Sequence, residues 1–82
     1  MKESQYLEII LPDLGIELMK FSLWFVELGE WVLEGDRIAE ILIPGAIYDV
    51  AAPATGKLVE RCKHPNDIVT RGEVLGAIEA VK

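Results

Sequence analysis

Glu40-Ile41-Leu42-Ile43-Pro44-Gly45-Ala46-Ile47-Tyr48-Asp49-Val50-Ala51-Ala52-Pro53 is the stretch on which the fold turns. Two runs rich in β-branched and apolar residues flank a Pro-Gly dipeptide, the pattern of strand, tight turn, strand. Pro44 presets φ near −65° for the first corner, and Gly45 can take the positive φ that the second corner of a type II turn needs. A hairpin tip is therefore expected near the middle of the chain. L-Pro-Gly gives the unprimed turn, whereas two-residue hairpin loops favour primed ones. The expectation is a loop a residue or two longer than it looks, or strands that splay there.

Outward from the hairpin, the same alternation of apolar runs and turn residues continues in both directions. Towards the amino end, residues 37–43, 20–26 and 5–11 read as strands, with Pro12-Asp13-Leu14-Gly15 stopping the last of these. Towards the carboxyl end, residues 46–52, 57–62 and 73–79 do the same, broken by Pro53-Ala54-Thr55-Gly56 and by the turn Lys63-His64-Pro65-Asn66-Asp67, which Ile68-Val69 and Thr70-Arg71-Gly72 follow. No window holds a 3.6-residue period over three turns, so the chain reads as an all-β sandwich or barrel.

At 82 residues the chain is one domain, 1–82. A chain this long buries only roughly 60–65% of its unfolded surface and cannot build two cores. Its 51% hydrophobic and 27% charged content is that of a globular protein. Eight basic against fourteen acidic residues leave a net charge of −6 with no basic stripe, which argues against nucleic acid and anionic membranes as partners. No apolar run approaches the ~20 residues of a membrane span, and Met1-Lys2-Glu3-Ser4-Gln5 lacks the build of a secretion signal, so the expected compartment is the cytoplasm.

An internal repeat organises the chain. Gly35 and Gly72 are 37 apart, and sliding the sequence by that offset superposes Lys20 on Lys57, Val32 on Val69 and Ile41 on Ile78, with Phe21 on Leu58 and Trp31 on Ile68. Two like halves, about 7–43 and 46–79, suggest a pseudo-two-fold sandwich in which each half covers the apolar face of the other. In residues 20–26, strict alternation puts Phe21, Leu23 and Phe25 on one face and Ser22, Trp24 and Val26 on the other. The repeat sets Trp24 and Val26 against Arg61 and Lys63, which points to a surface face and makes Trp24 a candidate partner contact. The plainer reading has Trp24 partly buried over apolar neighbours.

Little else carries chemistry. Cys62 can close no internal disulfide, and its strand context makes it a small buried hydrophobe. His64, the only histidine, has no second histidine or cysteine at ligand spacing and reads as a solvated turn residue. Glu27, Glu30, Glu34, Asp36 and Glu40 occupy turn and strand-edge positions and read as surface charge, so no metal site and no catalytic set is expected.

Residues 21–41, from Phe21-Ser22-Leu23-Trp24 through Gly29-Glu30-Trp31-Val32-Leu33-Glu34-Gly35-Asp36 to Glu40-Ile41, resemble the first half of the lipoyl and biotinyl carrier domains. Ala46 through Val50, Ala52-Pro53, Gly56, Asp67-Ile68-Val69, Gly72 and Leu75 continue the likeness, and Leu11-Pro12-Asp13-Leu14-Gly15 looks like the opening of lipoyl domains from 2-oxoacid dehydrogenase acyltransferases. The resemblance covers about residues 7–79. It implies a flattened barrel of two four-stranded antiparallel sheets with pseudo-two-fold symmetry, the hammerhead type.

The resemblance also implies where function should sit. Carriers of the family present a lysine at the tip of the central hairpin, preceded by Asp and followed by Ala in lipoyl domains. Those positions here hold Pro44, Gly45 and Ala46, after Leu42-Ile43. Lipoate and biotin attach by an amide to a lysine ε-amine, and glycine supplies no nucleophile. Of the other lysines, Lys2 and Lys82 are terminal, Lys20 and Lys57 begin repeat-related strands and Lys63 lies beside a turn, so none stands at the tip. No lipoate or biotin is expected on the chain. The apolar tip, Leu42, Ile43, Pro44 and Gly45, is instead the candidate contact for a protein partner, among them components of a lipoate- or biotin-dependent complex. The reading is a non-carrier, non-enzymatic interaction module; the alternative is a carrier domain of an acyltransferase or a biotin carboxyl carrier whose acceptor has been lost or mutated.

Overall fold

A computed structural model describes residues 4–81; Lys2, Lys82 and most of the amino-terminal stretch read for a targeting signal lie outside the described residues. Among the described residues there are eight strands and no helix: β1 (Ser4–Ile10), β2 (Met19–Trp24), β3 (Trp31–Val32), β4 (Arg37–Ile43), β5 (Ala46–Ala51), β6 (Gly56–Arg61), β7 (Ile68–Val69) and β8 (Val74–Val81). They form two antiparallel four-stranded sheets, ordered β1-β8-β6-β3 and β5-β4-β2-β7.

Neither sheet belongs to one half of the sequence. Each takes two strands from β1–β4 and two from β5–β8, which corrects the expectation that each half would form a layer over the other. After β2 the chain crosses between the sheets and adds β3 to β6, and after β6 it crosses back and adds β7 to β2. Backbone bonds fix both crossings: the Gly29 amide donates to the Leu58 carbonyl (2.7 Å), and the Asn66 amide to the Phe21 carbonyl (2.8 Å).

The repeat carries through to individual pairings. Shifting the β2–β4 register by 37 reproduces that of β6–β8: Phe21 opposite Ile41 becomes Leu58 opposite Ile78, and Leu23 opposite Glu40 becomes Glu60 opposite Ala77. The outer pairs β1–β8 and β5–β4 match with a different spacing, Leu7 opposite Ile78 answering to Tyr48 opposite Ile41. The difference lies in one loop, since β1 and β2 are joined by residues 11–18 whereas β5 and β6 need only 52–55.

Buried side chains from both sheets make one core, with Ile9, Met19, Phe21, Ile38, Ile41, Leu58, Leu75 and Ile78 almost wholly enclosed; no polar or charged side chain among the described residues is buried with them. A bulge at Ser22 in β2 reverses the alternation expected there, because an extra residue on one strand moves all that follow to the other face. Phe21, Trp24 and Val26 therefore turn inward while Leu23 and Phe25 turn out. The equivalent bulge at Val59 explains Cys62, which is exposed and not the buried hydrophobe its strand context suggested. Cys62 is the counterpart of Phe25, itself on the outer side.

Candidate functional site at the central hairpin

Strands β4 and β5 pair up to Ile43 opposite Ala46, so Pro44 and Gly45 make a two-residue loop and no longer one. Proline cannot take the positive φ that a primed turn needs at its first corner, and Gly45 takes φ 75° at the second, the type II pattern read from the sequence. A Cβ placed on Gly45 would meet nothing within 4 Å. Pro44, Gly45 and Ala46 are exposed, and so is Leu42 at 40%, while Ile43 turns partly inward and packs on the core.

The hairpin does not project alone. The longer loop between β1 and β2 brings Leu18, 63% exposed, beside it, and Leu18, Lys20, Leu42, Ile43 and Pro44 line an open groove of about 270 Å³. Across the outer face of the sheet the exposed side chains Ile47, Leu42, Lys20 and Ile68 stand in one cross-strand row. Leu18 and Lys20 were not read as tip residues from the sequence. Their signal was the surplus length of the first inter-strand loop, visible only once the strands had been aligned on each other.

Trp24 does not belong to this group. It pairs with Ala39, further down the sheet than the Lys20–Leu42 pair beside the tip. It is half-buried, with its ring centroid 5.0 Å from that of Phe21 and its indole N–H donating to the Lys63 carbonyl at 2.9 Å. Val26 is 8% exposed. The surface patch proposed from the repeat is thus replaced by a packed pair. Lys63, opposite Val26 in the repeat, is held half-buried by an ion pair with Glu73 at 3.2 Å.

Two further titratable groups, His64 and Glu73, lie at turns. The His64 amide donates to Asp67 at 2.8 Å, and the exposed His64 ring lies 3.7 Å from the same carboxylate. The Thr70 amide donates to Glu73 at 2.7 Å, a bond that, followed by the Lys63 contact, holds the Glu73 carboxyl below its ordinary value against partial burial. No group of three His, Cys, Asp or Glu that could hold a metal occurs among the described residues.

A two-sheet all-β domain with an exchanged short strand in each half and a tight central hairpin defines the structural class. The profile of the biotin–lipoyl family, described as "Biotin-requiring enzyme", matches residues 7–82, and the chain belongs to that family. It is 27% identical over 73 residues to the lipoamide acyltransferase component of the branched-chain alpha-keto acid dehydrogenase complex of Pseudomonas putida, covering 87% of this chain and 17% of the relative. It is 33% identical over 75 residues to the dihydrolipoyllysine-residue succinyltransferase component of the 2-oxoglutarate dehydrogenase complex of Bartonella vinsonii subsp. berkhoffii, covering 89% and 18%. The chain thus spans under a fifth of the length of these relatives. Among solved structures it resembles the lipoyl domain of the 2-oxoglutarate dehydrogenase complex from Azotobacter vinelandii, with a TM-score of 0.65, 29% identity and coverage of 83% of this chain and 85% of that one.

Proposed function

We propose that this lipoyl-type domain is a non-carrier protein-interaction or assembly module that docks through its hairpin end. One observation carries the reading: the tip is Pro44-Gly45, with an apolar surround of Leu18, Leu42 and Ile47. Amide attachment of lipoate or biotin needs an ε-amine, and the two corner residues provide none. Leu18, Leu42 and Ile47 are exposed close together beside the tip, as apolar side chains of a contact surface are. The relatives are named as components of 2-oxoacid dehydrogenase complexes, which supports a partner within such a system. The net charge of −6 argues against nucleic acid and anionic lipid, and we read the module as cytoplasmic and without catalysis of its own.

The test is intact mass after incubation with a lipoate ligase and, separately, a biotin ligase. An unchanged mass is expected in both. Addition of a lipoyl or biotinyl group to any lysine would overturn the reading.

The open space around Gly45 supports the second reading, a carrier whose acceptor has been lost. It predicts that Pro44→Asp combined with Gly45→Lys restores modification.

A further inference from the structure

The two crossings between the sheets are built alike but present different side chains to solvent. In each, a turn on either side holds a two-residue strand, and a carboxylate closes each turn by accepting the amide three residues before it. Around β3, Glu30 accepts from Glu27 (3.0 Å) and Asp36 from Leu33 (2.9 Å); around β7, Asp67 accepts from His64 (2.8 Å) and Glu73 from Thr70 (2.7 Å). One buried residue anchors each strand in the core, Val32 in the first and Val69 in the second. The fold therefore asks the same of both segments, and the positions it leaves free differ. Where the second crossing has His64, Pro65, Ile68, Thr70 and Arg71, the first has Glu27, Leu28, Trp31, Leu33 and Glu34.

The outcome on the first crossing is an apolar patch set among carboxylates. Because Val32 points into the core, Trp31 and Leu33 on either side of it point out. Leu28, Trp31 and Leu33 are 53%, 54% and 57% exposed. Glu27, Glu30, Glu34 and Asp36, all exposed, alternate with them along the segment, and among the described residues none has an ion-pair partner. Both acids of the second crossing have one, Asp67 beside His64 and Glu73 with Lys63. Arg37, next along the chain, is taken up by Asp49 at 3.5 Å and by the Phe25 ring at 4.6 Å, while Lys57 is the cross-strand neighbour of Glu79 as well as of Trp31. Four uncompensated carboxylates around an apolar centre repel a second copy of the same face and favour a cationic partner.

We infer that this face docks a short lysine- or arginine-rich segment of another protein, whose apolar side chains cover Leu28, Trp31 and Leu33 and whose cations lie over the surrounding carboxylates. The face sits at the start of β4, whereas the hairpin is at its end, roughly 20 Å away for a strand of this length. A partner here leaves the tip free, so one domain can hold two partners. The inference also stands apart from the hairpin reading: a mass change with ligase would end that reading and leave this one standing.

The test is a titration of the full chain with a short amphipathic lysine–leucine peptide, followed by amide NMR shifts at low and at physiological salt. Saturable shifts are expected, centred on residues 27–37, with affinity falling as salt rises. An all-lysine peptide and a serine–leucine peptide of the same length should each bind about tenfold more weakly or worse. Two double variants borrow the residues of the second crossing, which the same backbone already carries there, and leave Glu30, Val32 and Asp36 in place. Trp31→Ile with Leu33→Thr should weaken binding about tenfold or more. Glu27→His with Glu34→Arg should do likewise and flatten the salt dependence. Shifts scattered over the acidic surface would overturn the site, as would unchanged affinity in either variant with its fold confirmed by an unaltered spectrum elsewhere. Equal binding of the all-lysine peptide would reduce the contact to net charge and overturn the role given to Trp31. Shifts at residues 27–37 that grow with protein concentration alone would assign the face to a second copy of the chain and overturn the cationic partner.

Discussion

Gly45 does two things at once, leaving the hairpin without an amine and holding a backbone conformation that an L side chain resists. Its φ of 75° lies in the left-handed region, where a residue with a Cβ is disfavoured by about 1–2 kcal/mol. The surrounding space is open, so the penalty is backbone strain and not a clash. Gly45→Lys alone is therefore expected to lower stability by about 1 kcal/mol in denaturant melts, within that range. Adding Pro44→Asp frees the first corner to move to a turn with negative φ at both positions, and the double variant should recover that loss and become the better ligase substrate by intact mass. A double variant that folds but is not modified would mean the tip differs from a carrier's by more than the missing amine. Cys62 offers a second check at this scale. Its thiol is accessible, yet partial burial and then the Glu60 carboxylate push its pKa up. One thiol per chain should react with a small disulfide reagent in the folded state, with the rate rising at a pH above that of free cysteine, about 8.5. Faster reaction than free cysteine at neutral pH would contradict the assignment.

Strand pairing explains which parts of the fold could be read beforehand. The β4 boundaries match the expected 37–43, because alternation, β-branching and a Pro-Gly stop all agree there. The bulges at Ser22 and Val59 left no such mark, since a bulge is a relation between two strands and not a composition. That is why the faces of Leu23, Trp24 and Phe25 came out reversed. The repeat did hold a subtler clue: it aligns Asn66 with Gly29, and both adopt positive φ, at 77° and 89°. The second bulge also constrains β8. A Cβ at Gly76 would collide with the Glu60 carbonyl and press on the edge of the Trp24 ring at 3.1 Å. Gly76→Ala should destabilise by about 1–3 kcal/mol, lowering the thermal midpoint by about 5 °C or more. Glu73 makes a pH prediction. Its folded pKa is lowered, so its contribution is present above the unfolded value of about 4.3 and is lost as pH falls through the lower folded one. Glu73→Gln should melt earlier at neutral pH by about 1 kcal/mol of stability, and the gap to the unaltered protein should close in acid.

Over the whole molecule, the repeat was visible but its consequence for the layers was not. Matching residues across an offset of 37 revealed two like halves, whereas nothing in a local pattern says that a two-residue strand leaves its own sheet for the other. Trp31-Val32 and Ile68-Val69 are too short to carry a signal of their own, and their placement is decided by the partners they reach, Gly56-Lys57 and Met19-Lys20. The candidate site was legible to the same extent: Leu42, Ile43, Pro44 and Gly45 could be picked out, whereas Leu18 and Lys20 arrive from a distant loop. Because each half completes the sheets of the other, polypeptides 1–44 and 45–82 should be unstructured separately by circular dichroism. Mixed, they should regain the β spectrum, since all pairings except the hairpin loop itself can re-form between chains. Folding of either fragment alone would count against the exchange of strands.

That interlock also sets a hazard outside a single molecule. Only residues 44–45 join β4 to β5, and a linker that short can be pulled straight, letting one polypeptide's first half settle against another's second. Every contact except those in the turn would be kept, so the reciprocal dimer would differ little in energy from two monomers and would be favoured by crowding at high concentration.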